Sequence, residues 1–525
     1  MGKRNYNLGL FRELEEEKRR GDAFAREAGR VKEEFRIYRE KYDLLEKKFE
    51  EIDRLKEEVY RLKQEQAETK EELRICRSDL EKALADNARM KVQLDKNSSN
   101  SSKPPSQNGL RKVKNSREKS ERKRGGQPGH PGATSKLPEN LMELVEAGEA
   151  VFENVDHTGG KSDEPCDVCY ELDIKTTLVV RRHSYFTGTL PPEKRNLVTY
   201  GGNIKALATY LAVRCNVSQK RIAEMMRQLS FGHINPSDGS ITKFQRDLAE
   251  KLQPELEMIK TDLLNGAVMH VDDTTVDGTQ KPDSSNGNEE MREASNTSFS
   301  LCVRTYSNAR STCLCVNPQK DMQGCARDGL LPSFVGTLVH DHESKFYNYG
   351  TTHATCCAHL LRELKSISEQ KIPWADEMSG LLRAMNKHKD NDLGAGNTQC
   401  SPDVLASFEK QFDDTLARGV DTLASLREFA LGRDELRKLV SRLTEYKACY
   451  LQFLRDYRAP FTNNLAERDL RPIKTKLKVS GCFRSWEGLR AFAAIQSFFS
   501  TVLKRGFNIF ESLHKVGLSV PFLMA

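Results

Sequence analysis

The chain has 525 residues, with 83 Lys and Arg against 76 Asp and Glu, a formal charge of +7. Nine Lys/Arg against two Glu between Lys103 and Arg124 carry the whole excess, and at 37% hydrophobic and 30% charged residues the chain is too polar for one packed globule. No run approaches the ~18 apolar residues of a membrane span, no apolar signal core follows Met1, and the odd number of scattered cysteines (13) suits reduced thiols in a cytoplasm better than a disulfide framework.

From Phe24 to Leu94 the chain is Pro-free and dense in Glu, Lys and Arg. Phe24, Ala28, Val31, Phe35, Tyr38, Tyr42, Leu45, Phe49 and Ile52 recur in alternating steps of four and three. The seam then shifts phase and runs on through Leu55, Val59, Leu62, Leu73, Leu80 and Leu94, with Gln66 and Asn87 at weaker positions. A sevenfold apolar repeat predicts a coiled coil over 1–96 and self-association, as a parallel dimer. Asn97-Ser98-Ser99-Asn100-Ser101-Ser102-Lys103-Pro104-Pro105 ends it, because prolines and backbone-competing polar side chains do not continue a helix. Residues 97–140 read as a disordered basic linker. Lys112, Lys114, Arg117, Arg122, Lys123 and Arg124 suit a nucleic-acid backbone better than bare solvation, although charge alone confers no sequence specificity.

Residues 141–200 contain Cys166-Asp167-Val168-Cys169, half of a structural zinc site with no second C-x-x-C nearby. A zinc pair and two thiols in a turn both remain open there. Within 201–265, Ile204, Leu207, Ala208, Leu211 and Ala212 form one helical face, and Ile222, Met225, Met226 and Leu229 another, with Ser218 as a helix cap. A third helix runs from Ser240 through Leu248. This trio reads equally as a DNA-reading helix-turn-helix or a packed bundle.

Ala267–Val271 is an apolar run predicted as a buried strand that ends at Asp272, and Gly336–His340 repeats that pattern before Asp341. Ser298–Tyr306 and Ser311–Val316 are predicted as a hairpin turning at Asn308. Two strands that each deliver an Asp suit a hard cation, which wants carboxylate oxygens. Thr462–Lys474 opens with capping residues and turns helical, placing Glu467, Arg471 and Lys474 on one face, with Pro472 expected to kink or end the helix. An ordinary Glu467–Arg471 surface ion pair is the competing reading. Mostly helical sequence separates Asp341 from Glu467 and must be an insertion beside the site.

These stretches together resemble the insertion-sequence sixty-six family of bacterial DDE transposases. The resemblance rests on the Asn97–Pro105 tract before Gly125-Gly126-Gln127-Pro128-Gly129-His130, then His270-Val271-Asp272-Asp273-Thr274. Asp341 with Cys357-Ala358-His359-Leu360-Leu361-Arg362 follows, and then Asn463-Asn464-Leu465-Ala466-Glu467-Arg468 with Leu470-Arg471-Pro472. It implies an α/β ribonuclease H-like catalytic domain with a helical insertion, preceded by an N-terminal coiled coil and a small helical DNA-binding region. The core would occupy 266–370 and 456–525, and the insertion 371–455. Asp272, Asp341 and Glu467 would be the triad holding two Mg²⁺ or Mn²⁺, with zinc near Cys166 and Cys169 in doubt. Arg468, Arg471 and Lys474 would hold DNA phosphates. The implied partners are double-stranded DNA at the element's ends and target, a second copy of the chain, and accessory proteins of the same element, in a nucleoid-associated cytoplasmic setting. The family shows Asp-Glu-Thr at the first acid, so Asp273 competes for that role here. Cys357-Ala358-His359 departs from the family's Cys-Trp-Ala-His and reads as a packed helix near the site, not as metal ligands. A catalytically inactive DNA-binding relative and a protein-binding coiled-coil scaffold are the rival functions.

Overall fold

In the computed structural model, residues 198–278, 299–350, 352–427 and 430–518 are described, with 56–97, 99–101, 138–146, 148, 150–153, 170–174, 177–182 and scattered positions between 17 and 39 upstream. Cys166, Cys169, Lys112, Lys114, Arg117, Arg122, Lys123 and Arg124 lie outside the described residues. Residues 1–91 and 92–525 form two separate units.

Residues 29–37 are helical, and helix α1 spans Lys56–Asp95, its last four residues counted with the second unit. Of the seam residues, Phe24, Val31, Phe35, Leu73, Leu80 and Leu94 are all exposed in the single chain. In the second unit, Asn97 and Ser99–Ser101 form an ordered turn where the linker was expected to begin. Asn97 Oδ1 accepts from the Ser99 backbone N–H at 2.8 Å, and the Asn97 N–H donates to Asn100 Oδ1 at 2.8 Å. Ser99 and Asn100 are buried. Asn100 donates to Glu369 (2.6 Å), and Lys365 donates to Ser99 Oγ (2.9 Å), so the turn is seated on the core.

After the short helix α2 (Leu141–Glu146) come α3 (Gly202–Val213), α4 (Gln219–Leu229), α5 (Asp238–Lys251) and α6 (Gln253–Leu264). The helices expected at 201–265 therefore form, but they share one apolar core with the sheet that follows. Ile222 and Met226 of α4 face that core, while Lys220, Arg221 and Arg227 are exposed.

Strands β1 (Val268–Gly278), β2 (Phe299–Ser307), β3 (Thr312–Asn317), β4 (Thr337–His340) and β5 (Thr352–Thr355) make one sheet in the order β3-β2-β1-β4-β5, with helix α7 (Met322–Asp328) between β3 and β4. β1–β2 and β2–β3 are antiparallel, whereas β1–β4 and β4–β5 are parallel. The expected hairpin turns at Asn308, whose Oδ1 accepts from the N–H groups of Arg310 and Ser311. β1 does not end at Asp272. It continues six residues further because β2 pairs with it from His270 to Gly278. Gly336 is required where β4 enters, since a Cβ there would sit 2.6 Å from the Ala267 carbonyl.

Helix α8 (Cys357–Glu369) leads into the insertion, α9 (Trp374–Gly394), α10 (Pro402–Ser425), α11 (Arg433–Glu445) and the short α12 (Lys447–Tyr450) and α13 (Gln452–Arg455). These helices and α8 bury a second core that includes Leu360, Leu364, Trp374, Leu382, Phe412, Leu436 and Leu454. The chain returns as α14 (Asn464–Ser480), which packs on β1 and β2, then α15 (Trp486–Lys504), which packs on β3, and α16 (Ile509–Leu513). Pro472 does not end α14, which runs eight residues beyond it. Asp469 fastens α14 down, accepting from Ser307 Oγ (2.6 Å), Thr312 Oγ1 (2.9 Å) and Lys504 Nζ (2.7 Å).

Candidate active site

The parallel register pairs Val268 with Thr337 and His270 with Val339. Continuing it carries Asp272 abreast of Asp341, which follows the last residue of β4. Successive side chains on a strand alternate between faces. Asp272 therefore shares a face with His270, whose cross-strand partner Ser307 bonds α14, and Asp273 points the other way.

The two neighbouring acids have opposite fates. Asp273 is buried and ion-paired with Lys345 Nζ (2.6 Å), Lys320 Nζ (2.8 Å) and Arg304 Nε (3.4 Å). Arg304, its cross-strand partner, is fully buried and also pairs with Asp328. Asp273 is thus spent on a charge network behind the sheet. Asp272 receives one hydrogen bond, from the Asp273 backbone N–H at 2.9 Å. Burial first, then Asp341, push the Asp272 carboxyl up to about 7. Asp273 and Glu467 add to the rise, and Lys474 opposes it. Burial, then Glu343 and Asp273, raise Asp341 to about 6 against the pull of Lys320. Glu467 of α14 therefore lies within electrostatic reach of Asp272 even though the insertion separates it from β4.

Glu467 faces His359, on the first turn of α8. His359 Nδ1 and Glu467 Oε1 lie 3.9 Å apart, and both are buried without a hydrogen-bond partner. Burial, with Arg362, Arg442 and Lys474 nearby, lowers the imidazole to about 4, so it is neutral at physiological pH. Cys356 Sγ, His359 and Glu467 offer ligand atoms all within 4.8 Å of one another. The sequence suggested a packed helix here, and the helix is indeed packed, but its His359 also reaches the third acid. Four residues after Cys356, Leu360 enters the second core, and this places His359 at the rim between core and site. The Cys-x-x-His spacing, one helical turn, was the signal available for it.

On α14, Arg468, Arg471, Lys474 and Lys478 are exposed, and among the described residues none has an acidic partner. The competing reading of an ordinary Glu467–Arg471 ion pair is not realised. Asn463, expected as a helix cap, makes no side-chain bond to α14 and is buried against β1 instead.

A five-stranded mixed sheet flanked by helices defines an α/β protein. Residues 198–491, more than half of the chain, match the Transposase IS66 family, and the chain belongs to that family. Residues 43–136 match a family of unknown function, DUF6444. No curated protein matches the chain.

Proposed function

We propose that this transposase cuts and joins DNA at the ends of an insertion sequence, with Asp272, Asp341 and Glu467 as its catalytic carboxylates. The observation that carries this reading is the parallel register that sets Asp272 abreast of Asp341, where burial first and then Asp341, with a smaller part from Glu467, raise the Asp272 carboxyl. Acids gathered around Asp272 suit a cation-binding site, because a carboxylate beside like charges is favoured by a positive ion. The strand order β3-β2-β1-β4-β5, with three antiparallel strands followed by two parallel ones, supports a ribonuclease H-like core.

Acceptor-only oxygens, one of them the unsatisfied Oε1 of Glu467, fit Mg²⁺ or Mn²⁺. Asp272, Asp341 and Glu467 would hold two such ions, which when bound would activate an oxygen nucleophile and stabilise charge on the leaving oxygen. The rest is the work of the chain's own side chains. Arg468, Arg471 and Lys474 line the outside of α14 as unpaired donors for DNA phosphates, and Arg suits bidentate contact with a phosphate. Asp273 holds Lys320 and Lys345 behind the sheet, so that neither pairs with Asp272. Neutral His359, 3.9 Å from Glu467 Oε1, puts no positive charge beside that oxygen to compete with a metal ion.

The exposed heptad leucines of α1 support a homodimer built through that helix, which would bring two DNA ends together. The basic stretch from Lys112 to Arg124 supplies sequence-independent affinity for DNA. Among the described residues no helix is long and apolar enough to cross a membrane.

The test is nicking of DNA that carries the element's ends. Cutting is expected with Mg²⁺ or Mn²⁺ and not with EDTA. Asp341→Asn is expected to lose it by at least 10³-fold while binding the same DNA. Undiminished cutting by that variant refutes the assignment.

A further inference from the structure

An insertion of more than seventy residues separates Glu467 from Asp341, so no short stretch of chain holds it in register with Asp272 and Asp341. Asn463 makes the connections that do. It is buried, with 1% of its surface exposed, at the N-cap of α14. An Asn there ordinarily turns its side chain onto the first N–H groups of its own helix, but this one makes no such bond. Its Nδ2 donates instead to the Val271 carbonyl at 2.8 Å, and its Oδ1 faces His270 Nδ1 at 2.9 Å. Its backbone N–H donates to Cys356 Sγ at 3.2 Å, and its own carbonyl accepts from the Glu467 N–H at 3.2 Å. The Cys356 N–H in turn donates to the His340 carbonyl at 2.9 Å.

Three of these five bonds end at or beside an acid. Val271 precedes Asp272, His340 precedes Asp341, and the bond to Glu467 is the first turn of α14. We propose that Asn463 is a positioning residue, the hub that sets the spacing of the three carboxylates and through it their affinity for divalent ions. The inference rests on the reading of those acids given above. Repulsion among them tends to spread the cluster, so the frame must be fixed from behind, and the side-chain amide supplies one donor and one acceptor in the directions β1 requires. Partners that orient metal ligands in this way typically change metal affinity 10- to 100-fold when removed.

The experiment measures Mn²⁺ affinity by electron paramagnetic resonance of the free ion, alongside DNA nicking and melting temperature, on the full chain. Asn463→Ala is expected to weaken Mn²⁺ binding by about 10-fold or more. It should raise the Mg²⁺ needed for half-maximal nicking by a similar factor and leave metal-free DNA binding unchanged. His270→Leu, which removes the partner of the Asn463 Oδ1 and leaves every candidate metal ligand in place, is expected to shift both in the same direction by less, and it carries the test if Asn463→Ala does not fold. A variant that melts earlier but keeps wild-type Mn²⁺ affinity shows an ordinary structural role and overturns the proposal. Wild-type protein that binds Mn²⁺ but does not nick overturns the catalytic reading alone, whereas wild-type protein that binds no Mn²⁺ overturns both.

Discussion

Asp272→Asn should make the metal-free protein more stable while abolishing its activity. The folded state holds the Asp272 proton up to about 7, against an ordinary 3.8. A carboxyl raised on folding binds its proton more tightly in the native state, so its contribution to stability is present at low pH and is lost as pH rises from about 4 to 7. At 1.36 kcal/mol per pH unit the shift corresponds to a ceiling of roughly 4 kcal/mol above neutrality. The side chain's partial exposure and local relaxation reduce this to about 1–2 kcal/mol. An Asn keeps an oxygen for the Asp273 N–H that now donates to Asp272 Oδ1. With EDTA at pH 8, the variant is expected to melt about 2–5 °C above wild type. At pH 5, where the wild-type carboxyl is already protonated, the gap should shrink towards zero. Millimolar Mg²⁺ should raise the wild type at pH 8 and leave the variant unmoved, and differential scanning fluorimetry reads all of these. A variant that melts below wild type at pH 8 without metal, or an equal Mg²⁺ response in both proteins, refutes the reasoning.

Arg304→Leu should leave Asp328 in the interior without its cation, while Asp273 keeps Lys320 and Lys345, and cost about 3–5 kcal/mol, seen as an earlier urea midpoint. Asp273→Asn should lower stability yet retain cutting, because Asp273 serves the network behind the sheet. A loss of cutting as deep as that of Asp272→Asn would instead give Asp273 a share in catalysis. Leu73→Lys combined with Leu80→Lys should convert a dimer to a monomer in light scattering, since both leucines are exposed on the single helix at heptad spacing.

The strands leading to Asp272 and Asp341 were legible because each is a run of apolar residues buried on both faces. The second half of β1 was not, since Asp272–Gly278 carries no such run and is strand only because β2 lies beside it. β5 is four residues, Thr352-His353-Ala354-Thr355, and takes its strand character from β4. Pro472 looked like a terminator, yet packing of Leu470 and Ile473 into the core outweighs one missing hydrogen bond. The three acids stood out by motif, but the division of labour between Asp272 and Asp273 did not. That depends on strand parity and on Lys320, Lys345 and Arg304, which come from three separate segments. Asn463 read as a helix cap, which is the local use of an Asn at that position. Its actual use is tertiary, and only the placement of α14 against β1 reveals it.

The central claim is that carboxylates from β1, the end of β4 and α14 act on the same ions. The most direct measurement is Mn²⁺ binding by wild type and Glu467→Gln, counted by electron paramagnetic resonance. The account expects Glu467→Gln to lose at least 10-fold in affinity, because it removes a ligand oxygen supplied from across the insertion. Wild-type affinity and stoichiometry in that variant would contradict it.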